Sequence, residues 1–268
     1  MFNKFIKTCL VIAAIFLSSC VLHCCKDPIF SNKRDSLSEI LPKNSFVKIR
    51  KTIDLTICKT NVAELEQCDE RRLGSVASGF VVSYDDEGSY LVTAAHVCDN
   101  EEVKAYVSSQ PGVDYSKREF QIIDVDKDKY TAVVLNYDSE IDVCMIYSYG
   151  FFRTPVEIAK HPPVHGDRAY NLAAPIGIFG KGMVPILNGY YDGVLEERAI
   201  YSVPAVGGSS GSPIFDEKGK LIGMIHSVYI RFPFLSLSPQ YSELVSFIKN
   251  NINKELLLKK RIIENLLF

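Results

Sequence analysis

Three short stretches of this sequence carry side chains suited to nucleophilic chemistry. The first is Gly207-Gly208-Ser209-Ser210-Gly211-Ser212-Pro213-Ile214-Phe215. A serine hydroxyl is a poor nucleophile at neutral pH without a base beside it. Attack on a carbonyl also builds an oxyanion, which backbone N–H groups must meet. Glycines before and after Ser210 permit the sharp turn this needs. Alone, the stretch reads equally well as a Gly/Ser turn between two strands, so the decision rests on whether a base and an acid exist elsewhere. The second stretch is Val92-Thr93-Ala94-Ala95-His96-Val97-Cys98, a strand running into two small residues and a histidine. Histidine is the usual general base near neutral pH. Of five histidines, His96 alone sits at a strand end in such a setting. The third is Asp138 to Ile146, in which Asp142 opens an apolar strand. A carboxylate there is partly buried and needs a partner. A histidine N–H is a suitable one, and it would hold the imidazole in one tautomer. Asp138 and Glu140 are the rival acids and fall in the preceding turn. The plainer alternatives are a histidine with no task and an acid that caps a turn.

These residues need elements that bring them together. From Ser45 onward, short apolar runs alternate with turn signals: Phe46–Ile49, Ser78–Ser83, Tyr90–Thr93, Phe120–Val125, Thr131–Leu135 and Val143–Tyr147. Asp85-Asp86-Glu87-Gly88 joins the second and third as a hairpin. A break with Pro155, Pro162, Pro163 and Gly166 follows. Then come Arg168–Leu172, Gly182–Leu187, Tyr190–Leu195, Ala199–Val203, Ile214-Phe215 and Leu221–Val228. Many short strands around a central break imply an all-β chain of two six-stranded antiparallel barrels, about 45–155 and 165–235. After residue 240 the period changes: Leu244, Phe247, Ile248 and Ile252 fall at helical spacing. The segment 241–268 is therefore a C-terminal α-helix. Its basic second half, with Lys259, Lys260 and Arg261, is expected to pack on the barrels.

The chain order His96, Asp142, Ser210 across such an architecture resembles the trypsin-like, chymotrypsin-fold serine proteases. Leu91-Val92-Thr93-Ala94-Ala95-His96 resembles that family's Thr-Ala-Ala-His stretch. Asp142-Val143-Cys144-Met145-Ile146 resembles its Asp-Ile-Ala-Leu strand, and Gly208-Ser209-Ser210-Gly211-Ser212-Pro213 its Gly-Asp/Asn-Ser-Gly-Gly-Pro. Gly166-Asp167-Arg168-Ala169-Tyr170 leading to Ala174-Pro175-Ile176-Gly177 is similar, more weakly, to the strand entering the second barrel of HtrA-like and glutamyl-endopeptidase-like members. The resemblance spans Ser45 to Ile248, and three motifs in the right order are strong where one is not. It implies a serine endopeptidase acting on protein or peptide substrates through an acyl-enzyme. His96 would be base and then acid, Asp142 its orienting partner and Ser210 the nucleophile. The N–H groups of Gly208 and Ser210 would form the oxyanion hole. No metal or organic cofactor is implied.

Departures from the family pattern sharpen this. Ser209 stands where animal trypsins carry an aspartate that pairs with a freed N-terminus, so that mode of activation is not expected. Ser212 replaces a common glycine, as in glutamyl endopeptidases. Pro204, six residues before the nucleophile, stands where the floor of the first substrate pocket is expected, with Ala205 and Val206 following. No acid is present there to hold a lysine or arginine. The pocket wall is expected from Met224 to Val228 and includes His226. Small or apolar side chains are the first expectation for this pocket. Glutamate held by His226 is the second, and a His226 that merely hydrogen-bonds near Asp142 is as good a reading. The competing function is a catalytically silent binding or structural module on the same fold. An esterase is disfavoured, since Gly-Ser-Ser-Gly-Ser is not a Gly-x-Ser-x-Gly elbow.

The chain has 268 residues, 47% apolar and 23% charged, with a formal net charge of −2. It is long enough for a substantial core, and no basic excess points to nucleic acid. Residues 1–20 have the layout of an export signal: Lys4 and Lys7, an uncharged apolar run from Cys9 to Leu17, then Leu17-Ser18-Ser19-Cys20. The last four resemble a bacterial lipobox, which implies lipid on Cys20. Export, membrane anchoring in a bacterial envelope through that lipid, and a tether over 21–44 are expected; simple secretion is the alternative. Of eight cysteines, six would then remain outside the cytoplasm. Cys58 and Cys68 flank a polar loop that a bridge would close. Cys98 and Cys144 meet only if their strands are neighbours. Cys24 and Cys25 pair with nothing, and no spacing suits a metal.

Overall fold

The computed structural model describes residues 37–60, 66–99, 101–110, 112–229 and 231–267. The expected export signal and Cys20, and most of the expected tether, lie outside them. Ile40–Phe268 is a compact unit, and it carries the elements that follow.

Six strands close a barrel in the order β1-β2-β3-β6-β5-β4. They are β1 (Phe46–Thr60), β2 (Glu66–Tyr84), β3 (Gly88–Thr93), β4 (Val113–Ile123), β5 (Lys129–Asp138) and β6 (Val143–Tyr149). The expected hairpin is present, with Phe80 opposite Val92 and Tyr84 opposite Ser89. Strands β1 and β2 run far past the four-to-six residues their apolar runs suggested. They continue as a long ribbon paired from Phe46↔Phe80 out to Thr60↔Glu66, with β4 along the other edge of β1 as far as Ile57↔Val113. The disulfide Cys58–Cys68 crosses that ribbon. Period-2 alternation sorts side chains between two cores. On β6, Cys144 and Ile146 point into the barrel beside Val47, Ile49, Val81 and Leu91. Val143, Met145 and Tyr147 point outward into a second cluster with Phe46, Phe80, Tyr90 and Val92. Strand β3 is buried at every residue because both its faces are covered.

Two helices follow β3: α1 (Ala95–Cys98), a single turn, and α2 (Glu101–Ser109). The second half of the molecule is a seven-stranded sheet in the order β11-β10-β7-β8-β9-β13-β12. Its strands are β7 (Arg168–Leu172), β8 (Ile186–Leu195), β9 (Arg198–Tyr201), β10 (Ser212–Phe215), β11 (Leu221–Ile225), β12 (Ser227–Tyr229) and β13 (Phe232–Ser238). The expected all-β fold of two β halves and a C-terminal helix is present, but the second half is a seven-stranded sheet where a six-stranded barrel was expected. The expected Leu221–Val228 strand is broken at His226, and β13 is an additional strand. Strands β11 and β12 are the two ends of the sheet, yet only His226 separates them in sequence. The sheet is therefore rolled round until its ends meet, closed there by the chain itself rather than by a ladder. A small apolar core of Ala169, Ala199, Tyr201, Val203, Ile214, Ile222 and Ile225 fills it. Residues 182–185, expected as strand, precede β8 as loop.

Helix α3 (Tyr241–Leu267) begins where helical spacing placed it. Gln240 N–H donates to the Glu243 carboxylate at 2.9 Å, a reciprocal capping contact at its start. Leu244, Phe247 and Ile248 join the same cluster as Met145 and Tyr147 of the barrel and Leu172, Phe215 and Met224 of the sheet. One core thus welds barrel, sheet and helix.

Candidate active site

His96 enters from β3. Ala94 and Ala95 are fully buried, so the chain turns tightly against the barrel before releasing His96 to the surface. Its side chain remains 50% exposed. The His96 backbone N–H donates to Asp142 Oδ1 at 2.9 Å. Its Nδ1 lies 2.9 Å from Asp142 Oδ2 and 3.2 Å from Oδ1. An ionised carboxylate only accepts hydrogen bonds, so Nδ1 carries a proton, and in the neutral form of the ring the lone pair is on Nε2.

Asp142 sits at φ +55°, a left-handed conformation that aspartate tolerates better than most residues. The turn before it is built by its former rivals. Asp138 Oδ1 accepts from Glu140 N–H at 2.9 Å and from Ile141 N–H at 3.3 Å. Arg198 of β9 holds the Glu140 carbonyl. Burial would push the Asp142 carboxyl up. Hydrogen bonds from His226 and His96, the His96 charge and the His96 backbone N–H oppose it and hold the group well below the usual carboxylate range.

His226, at the seam of the rolled sheet, is placed against Asp142: its Nδ1 lies 3.4 Å from Oδ2, and its side chain is only 8% exposed. Among the described residues its buried Nε2 has no hydrogen-bond partner. Its backbone carbonyl accepts the Ser210 hydroxyl at 3.5 Å. One residue therefore touches both the acid and the serine. Ser210 makes no hydrogen bond to His96 among the described residues.

The Ser210 loop is anchored by its carbonyls. Gly207 O accepts from Ile176 N–H at 2.7 Å, and Ser209 O accepts from Ser212 N–H at 3.0 Å. In a trans peptide the C=O and N–H point in opposite directions, so these anchors aim the Gly208 and Ser210 N–H groups away from the protein partners. Neither donates to another described residue. Gly208 (φ +94°) and Gly211 (φ +82°) are required by conformation. A Cβ on Gly208 would also meet Ala174 O at 2.5 Å, and one on Gly211 would meet Ser78 O at 2.3 Å.

Two residues outside the three triad motifs hold this loop. Ser78 of β2 is fully buried. Its N–H donates to Ser210 O and its hydroxyl to Gly208 O, each at 2.8 Å, while the hydroxyl accepts from Ala174 N–H at 3.0 Å. Ile176 supplies the tether on Gly207 from a backbone at φ +50°, rare for a β-branched side chain. Its own loop is tied to the barrel by Lys48 Nζ, which donates to Gly177 O at 2.9 Å. Sequence carried only faint signals of either: a serine opening a strand, and a proline-glycine pair around an isoleucine. Pro204 lies half-buried after β9. Next to it, the Ala205 N–H donates to Pro233 O at 3.0 Å, which ties that segment to β13.

A closed barrel is thus joined to a seven-stranded sheet, and His226 of the second half touches both Asp142 and Ser210. The chain belongs to the trypsin-like peptidase domain family, whose model matches residues 77–224. Among solved structures it is similar to a variant of the HtrA-type protease AlgW with a decapeptide, at TM-score 0.59 and 15% identity, over 81% of this chain. The chain spans 66% of that structure's length. No curated protein matches it.

Proposed function

We propose that this chain is an endopeptidase whose Ser210, His96 and Asp142 form a catalytic triad working through an acyl-enzyme. The observation that carries this reading is the position of His226, whose ring meets Asp142 and whose carbonyl takes the Ser210 hydroxyl. In the proposed reaction that hydroxyl turns from the His226 carbonyl to His96 Nε2. It attacks the scissile carbonyl as its proton passes to the imidazole. Asp142 stabilises the imidazolium, and the free Gly208 and Ser210 N–H groups receive the oxyanion. The proton then passes to the leaving amine, and water releases the acyl group by the same steps. Strand β12 supports a peptide as substrate. Among the described residues it pairs with β13 alone, and an extended chain can add to such an edge. It starts one residue beyond His226.

Two apolar side chains on residues bonded to the Ser210 loop, Ile176 and Val206, are exposed. With no acid at Pro204 to Val206, apolar side chains remain the proposed preference. Glutamate is the lesser reading, because the His226 ring is directed at Asp142. Export with a lipid on Cys20 belongs to the same proposal and is tested by loss of fatty-acid labelling in Cys20→Ala. The test of catalysis is a fluorophosphonate probe on folded protein. Wild type should be modified at Ser210, and Ser210→Ala should not. A folded wild type that resists the probe and cleaves no peptide library would leave the silent-module reading in its place.

A further inference from the structure

We infer that the disulfide Cys98–Cys144 is a positioning crosslink for the His96–Asp142 pair, and that full catalytic competence depends on its oxidation. This rests on the triad proposed above. The bridge runs parallel to the catalytic contact. Cys98 lies two residues after His96 and Cys144 two after Asp142, and both pairs are 46 residues apart in sequence. Cys98 and Cys144 are 1% and 0% exposed, whereas the His96 side chain is 50% exposed. The covalent link is thus in the core, directly beneath a surface histidine.

The two partners differ in what else holds them. Cys144 belongs to β6, paired on both sides with β3 and β5 and buried at every residue but its last. Cys98 ends α1, a four-residue turn with no side-chain cap. A single turn is unstable by itself. Beyond it the chain passes into α2, which ends in exposed residues. Other ties on this segment reach backbone carbonyls: Arg118 donates to Cys98 O, and Lys51 Nζ to Asp99 O at 2.8 Å. With the bridge open, His96 would be aligned to Asp142 by its own hydrogen bonds and by the packing of Ala94, Ala95 and Val97, and the two thiols must draw apart to van der Waals separation. A catalytic group displaced by about 1 Å loses on the order of 10²-fold in rate.

Oxidation needs an external disulfide, such as oxidised glutathione. One protein thiolate attacks it and expels a thiol. The second thiolate then displaces the remaining thiol from the mixed disulfide, so two protein S–H groups become one S–S and two external thiols are released. The ribbon disulfide Cys58–Cys68 provides an internal control, because its cysteines join strands at residues distant in sequence from all three triad members.

The test compares oxidised full chain, Cys98→Ala/Cys144→Ala, and Cys58→Ala/Cys68→Ala, each with and without Asp142→Asn. The readouts are kcat, KM, fluorophosphonate labelling rate and melting temperature. Loss of the Cys98–Cys144 bridge should lower kcat by about 10- to 100-fold with KM within about threefold. In the Asp142→Asn background the same change should cost less than about threefold, because the alignment it protects is already lost. The ribbon variant should keep kcat within about twofold. Equal losses in both backgrounds, or equal losses from both disulfides, would mean a merely structural bridge and overturn the inference. If the alanine pair fails to fold, the Cys58→Ala/Cys68→Ala chain, reduced and then reoxidised with glutathione, gives the same comparison for this one bridge. Recovery of rate on reoxidation supports the inference, and full rate in the reduced protein overturns it. Failure of the oxidised wild type to label at all would instead overturn the triad.

Discussion

Asp142 carries more of the site's electrostatics than any other single residue. Its two oxygens take the His96 N–H, the His96 ring and the His226 ring, and they hold its carboxyl well below the usual range. A depressed carboxyl contributes stability that is present above the unfolded value, about 3.9, and is lost as pH falls through the folded one. Wild type should therefore lose urea stability as pH drops from 5 toward 2. The unfolded chain binds a proton there that the native aspartate refuses. Asp142→Asn should show a shallower loss over that interval. The same variant should lower kcat by roughly 10⁴-fold, the size found when the orienting acid of such a triad is amidated. An unchanged pH slope would mean the carboxylate is not held as described. His226 offers a finer test. His226→Ala removes one donor from Asp142 and should lower kcat by about tenfold, since a hydrogen bond to a charged group contributes about 1.5–3 kcal/mol and here it is only one of several. His226→Asn retains a donor and should recover most of that loss. If asparagine is no better than alanine, the ring acts by packing alone.

Among the elements, the loop carrying Ser210 is shaped by neighbours rather than by its own sequence. Its glycines were legible as turn formers, and the small residues around Ser210 marked it correctly as a sharp bend. Which way its amides point was not legible. That is set by Ile176, 34 positions away by its numbering, and by Ser212, through ordinary backbone hydrogen bonds that no residue type encodes; Ser78, 132 positions away, holds the Gly208 and Ser210 carbonyls with its hydroxyl and its N–H. The same limit explains the second sheet. Alternating apolar runs located β7 and β10, but the break at His226 is a tertiary event where a rolled sheet's two ends meet. Strand β13, with Pro233 near its start and exposed Phe232 and Phe234, lacks a buried periodic face at that end. Two substitutions test the loop. Gly208→Ala places a Cβ 2.5 Å from Ala174 O at a positive φ, so the peptide must shift and an oxyanion donor is lost. A fall in kcat of about 10²- to 10³-fold is expected, with KM nearly kept. Ile176→Gly relieves a left-handed β-branched residue and should stabilise the fold by about 1 kcal/mol, while a slacker tether on Gly207 lowers kcat a few-fold. Higher stability with undiminished kcat would show that Ile176 does not aim the Gly208 N–H.

At the scale of the whole molecule, the shared core decides how the protein unfolds. The sequence periodicities separated a first half, a second half and a helix, and each is present. They could not show that the three meet in one cluster, because outward-facing residues such as Val143, Met145 and Tyr147 look alike whether they face a partner or form part of a single barrel's wall. In the structure Phe46, Phe80 and Met145 of the barrel pack with Leu172, Phe215 and Met224 of the sheet and with Leu244, Phe247 and Ile248 of α3. Asn136 of β5 also donates to Asn251 of the helix at 2.7 Å. Removing either half would expose this apolar surface to water, at about 25 cal/mol per Å², so neither half has a complete core alone. Barrel and sheet are accordingly expected to unfold in one transition despite their separate strand ladders. Leu244 is fully buried, and truncating such a leucine costs about 2–5 kcal/mol. Leu244→Ala should therefore lower the urea midpoint of the barrel and of the sheet by the same amount. The sequence has no tryptophan, so two probes can be introduced separately: Tyr130→Trp beside Phe151 in the barrel, and Tyr191→Trp beside Tyr201 in the sheet. Coincident curves that shift together bear out a single cooperative core. Two separated curves, only one of them moved by Leu244→Ala, would show that the helix belongs to one half alone and that the triad's members ride on independently folding supports.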